Sequence, residues 1–178
     1  MTAPPQLVVL GDGGVGKTSI ILRYTRNQFS EQYEPTLEDN YKATIELQNG
    51  QKLDIDIADT AGQDDYKSLR DRYMDVGNAF LIVYSVTDAR TLNTAKERLS
   101  EIKTLKENNF KFLLVGNKCD MPSRNVTFDD GKKVAEEFGG KFMETSAKKV
   151  ININEAFQEI GMLLNQTEQV SGGCACRI

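Results

Sequence analysis

Residues 11–18 read Gly-Asp-Gly-Gly-Val-Gly-Lys-Thr, and no other stretch constrains the fold of this chain as tightly. The run fits G-x-x-x-x-G-K-[ST]. It stands between an apolar run, Leu7-Val8-Val9-Leu10, and a helix-compatible stretch from Ser19 to Arg26. Strand, glycine-rich loop and helix, in that order, are the setting in which such a loop cradles phosphate. Without Cβ atoms, Gly13, Gly14 and Gly16 let the loop curl until successive backbone N–H groups face one point. The first helical turn adds N–H donors with no intrahelical partner and the positive end of the helix dipole. Lys17 can then reach the β- and γ-phosphates of a nucleotide, and the Thr18 hydroxyl can ligate Mg²⁺. Val15 and Ser19 belong to the same candidate cradle by position. A glycine-rich turn that matches the pattern by chance is the alternative, and the sequences downstream decide between them.

Downstream, short apolar runs alternate with amphipathic stretches, the pattern of a mostly parallel sheet wrapped by helices. Leu7–Leu10 is the first strand. Tyr41–Leu47 and Leu53–Ile57 alternate apolar and polar residues, and Asn49-Gly50 between them predicts an antiparallel hairpin. Phe80–Tyr84 and Phe112–Val115 are unbroken apolar runs, as strands covered on both faces require, and Lys141–Glu144 is a short sixth strand. Leu92, Ala95, Leu99, Ile102 and Leu105 fall at helical spacing, as do Ile153, Phe157, Ile160 and Leu164. Thr127 followed by Asp130 predicts a helix start, and Gly139-Gly140 a helix end. The expected fold class is α/β: a single P-loop NTPase domain over residues 1–165, with helices on both faces of a six-stranded, mostly parallel sheet that has one antiparallel edge strand. Residues 166–178 turn polar and glycine-containing, which predicts a flexible tail.

Composition removes several function classes. At 178 residues the chain can build one full core. A net charge of −4 and the absence of any basic run of five or more argue against nucleic acid as the main partner. There are no histidines, which excludes His-based catalytic triads and His metal sites. Cys119, Cys174 and Cys176 form no disulfide framework, which suits a reducing compartment. The start, Met-Thr-Ala-Pro-Pro, has no apolar signal core, and Thr2 stands where myristoylation needs glycine. No run approaches the roughly 18 apolar residues of a membrane span. The expected location is cytoplasmic.

In an open α/β sheet, ligands sit at the carboxyl ends of the strands, and the distinctive sequences of this chain fall there. After the third strand comes Asp59-Thr60-Ala61-Gly62-Gln63. Asp59 can hold Mg²⁺ directly or through water, Gly62 lets backbone approach a γ-phosphate, and the Gln63 amide can orient an attacking water. After the fifth strand comes Asn117-Lys118-Cys119-Asp120. A carboxylate accepts two N–H donors at once, and guanine offers such a pair where adenine does not, so Asp120 is a candidate guanine reader. Lys118 can lie along the base, and Asn117 can tie this loop to the phosphate loop. After the sixth strand, Glu144-Thr145-Ser146-Ala147-Lys148 offers backbone N–H groups and a small residue at the base edge, from Ser146, Ala147 and Lys148.

These four sequences, in this order and spacing, closely resemble those of the Ras-type small GTPases over residues 6–165. Tyr33 to Tyr41 is similar to the effector loop of the Ras subfamily. The resemblance implies a GTP/GDP switch that hydrolyses GTP slowly and binds signalling effectors in its GTP state, with Mg²⁺ as cofactor. By the same match Thr36 is the switch threonine, Phe29 lies over the guanine, and Tyr33 closes over the phosphates. Gly13 and Gly14 match positions where a side chain would crowd catalysis, and Gln63, Lys17 and Thr36 are the implied catalytic residues. The short stretch from Asp120 to Glu144 leaves no room for the extra helix of Rho relatives, and Gln63 separates the chain from Rap relatives. There is no arginine between Arg26 and Thr36, so hydrolysis is expected to need a GTPase-activating protein with an arginine finger. A guanine nucleotide exchange factor is the implied resetting partner. The strand from Asn40 is expected at the sheet edge, beside Glu31, Glu34, Glu38 and Asp39. With Tyr41 these acids predict docking of a basic Ras-binding domain by strand addition.

Two other readings use the same loop. A P-loop kinase or ATPase shares Lys17 and Thr18 but has no use for Asp120. A GTP-binding scaffold, or pseudo-GTPase, would bind without significant hydrolysis. The tail departs from the family: a prenylation box has cysteine fourth from the end, whereas here that residue is Ala175, flanked by Cys174 and Cys176. Lipidation of these cysteines by an unusual route, palmitoylation of both, and no lipid all remain open. Either lipid would place the chain on a membrane, such as the cytoplasmic face of the plasma membrane.

Overall fold

The computed structural model describes residues 3–32, 35, 36, 38–62, 67–107 and 109–171. Tyr33, Glu34, Gln63, Cys174 and Cys176 lie outside the described residues. The elements run β1 (Gln6–Gly11), α1 (Lys17–Arg26), β2 (Glu38–Glu46), β3 (Lys52–Thr60), α2 (Lys67–Val76), β4 (Ala79–Ser85), α3 (Ala89–Leu105), β5 (Phe112–Asn117), α4 (Phe128–Glu137), β6 (Lys141–Glu144) and α5 (Ile153–Ser171). They build one six-stranded sheet in the order β2-β3-β1-β4-β5-β6. Only β2 is antiparallel to its neighbour, and it occupies the edge.

Alternation along each strand splits the core in two. Leu7, Val9, Leu81, Val83 and Val115 face α1 and α5. Val8, Leu10, Phe80, Ile82 and Leu114 face the apolar stripes of α3 and α4 and Met74 of α2. Every residue of β4 and β5 is buried, which explains their unbroken apolar sequences. Thr127 and Asp130 form the expected capping box at the start of α4. Asp88 caps α3 by accepting from the Arg90 backbone N–H.

Three elements differ from the sequence reading. The β2–β3 ladder begins three residues before the predicted start of β2 and ends three residues after the predicted end of β3, pairing Glu38 with Thr60 and Asp39 with Asp59. Those residues are polar, so their pairing leaves no apolar alternation to read. The sequence also gave no sign of α2, because Met74 and Arg70 are its only buried side chains among those described, too few for a legible stripe. Finally, α5 does not stop at 165 but continues through Ser171.

Candidate nucleotide site

All five parallel strands direct their carboxyl ends to one side, and the loops there enclose a cavity of about 510 Å³, ample for a nucleotide. Gly13, Gly14, Gly16, Lys17, Thr18, Ser19, Phe29, Thr36, Gly62, Asn117, Lys118, Asp120, Ser146, Ala147 and Lys148 line it. Two of the candidate residues stand back from it. Val15 is buried in the core with its carbonyl taken by Asn117 Nδ2, and Asp59 is fully buried behind Thr18.

The phosphate end is built on β1 and α1. Gly16, at the helix N-cap, holds φ +100°, and a Cβ there would lie 2.3 Å from Asn117 Nδ2. Only glycine fits both the backbone angle and the close approach of the neighbouring loop. Lys17 is buried, and its ammonium donates to the carbonyls of Gly11 (3.0 Å) and Asp12 (2.8 Å). Burial pushes its pKa down to about 8, against the pull of the Asp59 and Asp12 carboxylates, and the Arg98 charge adds to the lowering. At Gly62 an added Cβ would meet the Gly13 backbone nitrogen at 2.4 Å, so the loop after β3 lies directly on the phosphate loop.

Beside Lys17 three oxygens converge. Thr18 Oγ1 donates to Asp59 Oδ2 at 2.6 Å and lies 2.9 Å from Thr36 Oγ1. Asp59 Oδ1 is buried and takes no hydrogen bond from any described residue. Burial raises the pKa of this carboxyl, opposed by the Thr18 hydrogen bond and the Lys17 charge. Two hydroxyls and an under-satisfied carboxylate form an all-oxygen donor set that fits a small, hard cation. Among the described residues no group of three or more acidic, Cys or His side chains could hold a metal alone. Such a donor set suits a cation like Mg²⁺ that completes its shell with waters and ligand phosphates.

The base end is built on the loops after β5 and β6. Asn117 is 2% exposed. Its Nδ2 donates to the Val15 carbonyl at 2.9 Å, and its Oδ1 accepts from Thr145 Oγ1 at 3.1 Å and from the Ala147 N–H at 3.4 Å. One side chain thus joins the phosphate loop to both base loops. Lys118 stretches across the cavity, its Nζ donating to the Gly14 carbonyl at 2.7 Å. Arg124 pairs bidentately with Glu144 at 2.6 and 2.9 Å and braces the loop that presents Asp120. Lys148 Nζ meets Glu31 Oε1 at 2.5 Å over the mouth of the cavity.

At the sheet edge Glu38 and Asp39 are exposed, and the half-buried Tyr41 donates its hydroxyl to Asp39 Oδ2 at 2.9 Å. Burial, this hydrogen bond and nearby carboxylate charge push the Tyr41 phenol up to about 12, against the Arg26 guanidinium that lies over its ring. The sequence reading missed Arg23, Arg124 and the bond from Glu31 to Lys148. Each acts through partners far away in the chain, and no local spacing marks them.

A P-loop at the end of the first strand, with base loops at the ends of the fifth and sixth, defines the class as a P-loop nucleotide-binding α/β protein. A family model described as "Ras family" matches residues 6–166. Ras-like protein rasB of Dictyostelium discoideum is 42% identical over 159 residues, covering 87% of this chain and 79% of that protein. Ras-like protein rasC of the same organism is 40% identical over 157 residues, covering 85% of this chain and 82% of that protein. The chain belongs to the Ras family of small GTPases, which work as GTP/GDP signalling switches.

Proposed function

We propose that this chain is a Mg²⁺-dependent switch that hydrolyses GTP to GDP and phosphate through the residues assembled here, and that it depends on an activating protein for speed. The observation that carries the reading is the single cavity with Lys17 and Thr18 at one end and Asp120 and Ala147 at the other. Phosphoryl transfer needs positioning and charge neutralisation more than covalent chemistry. Lys17 exchanges its two loop carbonyls for phosphate oxygens. Thr18, Thr36 and, through water, Asp59 would hold Mg²⁺, which would supply neutralisation of phosphate charge when bound. The Gly62 backbone senses the γ-phosphate, and Gln63 orients the attacking water. No arginine stands between Arg26 and Thr36 to stabilise the transferring group in cis. An arginine finger supplied in trans is worth about 10³–10⁵ in rate in Ras-type enzymes. Hydrolysis then releases the Thr36 and Gly62 loops, and an exchange factor resets the switch.

Effectors with a basic Ras-binding domain add a strand to β2 beside Glu34, Glu38, Asp39 and Tyr41. A lipid on Cys174 or Cys176 would hold the otherwise cytoplasmic chain at the cytoplasmic face of the plasma membrane, and an unmodified intact mass from native cells would remove that part of the reading.

The test of the base site is Asp120→Asn. The carboxylate pairs with the N1–H and exocyclic N2–H₂ of guanine, whereas an amide NH₂ pairs with the 2-carbonyl of xanthine. The variant is expected to lose GTP binding by at least about a hundredfold and to gain XTP binding and hydrolysis. Unchanged preference for GTP over XTP would overturn the guanine reading.

A further inference from the structure

We infer that Arg23, which lies outside every nucleotide-binding motif of the chain, is a positioning residue that clamps the two walls of the guanine subsite together; the inference rests on the guanine reading above. Arg23 sits in the last turn of α1, the helix whose first residue is Lys17. It does not line the cavity, but its contacts reach three residues that do or that end the helix, Ala147, Phe29 and Asn27. Its Nε donates to the Ala147 carbonyl at 2.8 Å, across 124 residues of chain. Its Nη1 donates to the Asn27 carbonyl (3.0 Å) and to Asn27 Oδ1 (3.1 Å). The guanidinium carbon lies 5.6 Å from the centroid of the Phe29 ring, within cation–π range. Phe29 and Ala147 lie far apart in the sequence, and both line the cavity. One rigid fork therefore fixes the aromatic wall relative to the small-residue wall.

Capping of α1 alone explains the bonds to Asn27, since a cation near the last carbonyls of a helix is favourable. It does not explain the bond to Ala147 or the approach to Phe29. Ala147 also donates its own N–H to Asn117 Oδ1, so Asn117 and Arg23 hold the two successive peptide units on either side of the Ala147 Cα. Lysine could keep a cation near Phe29, but it has no planar fork to serve Ala147 and Asn27 together.

The experiment follows release of a fluorescent methylanthraniloyl-GDP from the full-length, Mg²⁺-loaded protein, alongside single-turnover hydrolysis of preloaded GTP. Arg23→Met is expected to release the nucleotide about tenfold faster, the effect of one lost charge-assisted hydrogen bond. Hydrolysis of GTP already bound should stay within about twofold, because the phosphate end is untouched. Arg23→Lys, which preserves charge and helix, should release at an intermediate rate. Release within about twofold of the parent in both variants overturns the inference. So does a parallel fall in hydrolysis, which would mean that α1 as a whole had been disturbed. If the parent protein itself fails to retain the guanine nucleotide, the guanine reading falls, and this inference with it. If Arg23→Met does not fold, the Arg23→Lys rate decides alone.

Discussion

Replacing Asn117 with alanine tests whether one buried amide unites the site. The substitution removes three hydrogen bonds that the chain makes to itself: to the Val15 carbonyl at 2.9 Å, from the Thr145 hydroxyl at 3.1 Å and from the Ala147 N–H at 3.4 Å. The last is long and adds little. Each of the other two contributes about 0.5–1.5 kcal/mol net, and a polar group left buried without a partner costs about 1–3 kcal/mol. Thr145 is fully buried and Val15 is 1% exposed, so water reaches their orphaned groups poorly. The hydroxyl can rotate towards another acceptor, which trims the penalty. The balance is a loss of about 3 kcal/mol. In a domain of this size that lowers the unfolding midpoint by about 6–12 °C. The assay is thermal unfolding at saturating GDP, with release of bound GDP followed in parallel. Because the lost bonds join the phosphate loop to both base loops, release should quicken as stability falls. A midpoint within about 2 °C of the parent would refute the reasoning, for the three loops would then be held by something else.

The remaining predictions concern charge. Lys17 titrates near 8 because burial opposes its ammonium, and phosphate oxygens would raise that pKa. A nucleotide then favours the protonated lysine, so affinity is fully present below pH 8 and falls as pH rises above it. At pH 8, binding to the nucleotide-free protein should take up about half a proton, read by calorimetry in buffers of different ionisation enthalpy; zero uptake would refute it. Glu38 and Asp39 are exposed on the edge strand, so association with a basic effector domain should slow from about 0.1 to about 1 M salt, as the screening length falls from about 10 to about 3 Å. An association rate indifferent to salt would place the effector elsewhere.

What the sequence revealed was what chemistry forces into contiguous residues. A phosphate loop needs its glycines, lysine and threonine side by side, so Gly13 to Thr18 could be read directly. Buried strands such as β4 announce themselves because both faces are apolar. The hidden parts depend on distant partners. Nothing around Arg23 hints that its acceptor lies in the loop after β6. The first residues of β2 look like loop because their pairing with β3 is a matter of backbone, not of side-chain pattern. Helix α2 stayed invisible because, among its described side chains, only Arg70 and Met74 are buried.

The strand order turns the sheet into a ruler. The phosphate loop follows β1, the Asp120 loop follows β5, and only β4 lies between them. Neighbouring strands are about 4.8 Å apart, so the two grips are set about 10 Å from each other by the backbone itself. A ligand must be that long to touch both. A free base or a lone phosphate group can engage one grip at a time, whereas a nucleoside diphosphate bridges them and makes the second contact intramolecular. The fold therefore selects by length before any side chain selects by chemistry.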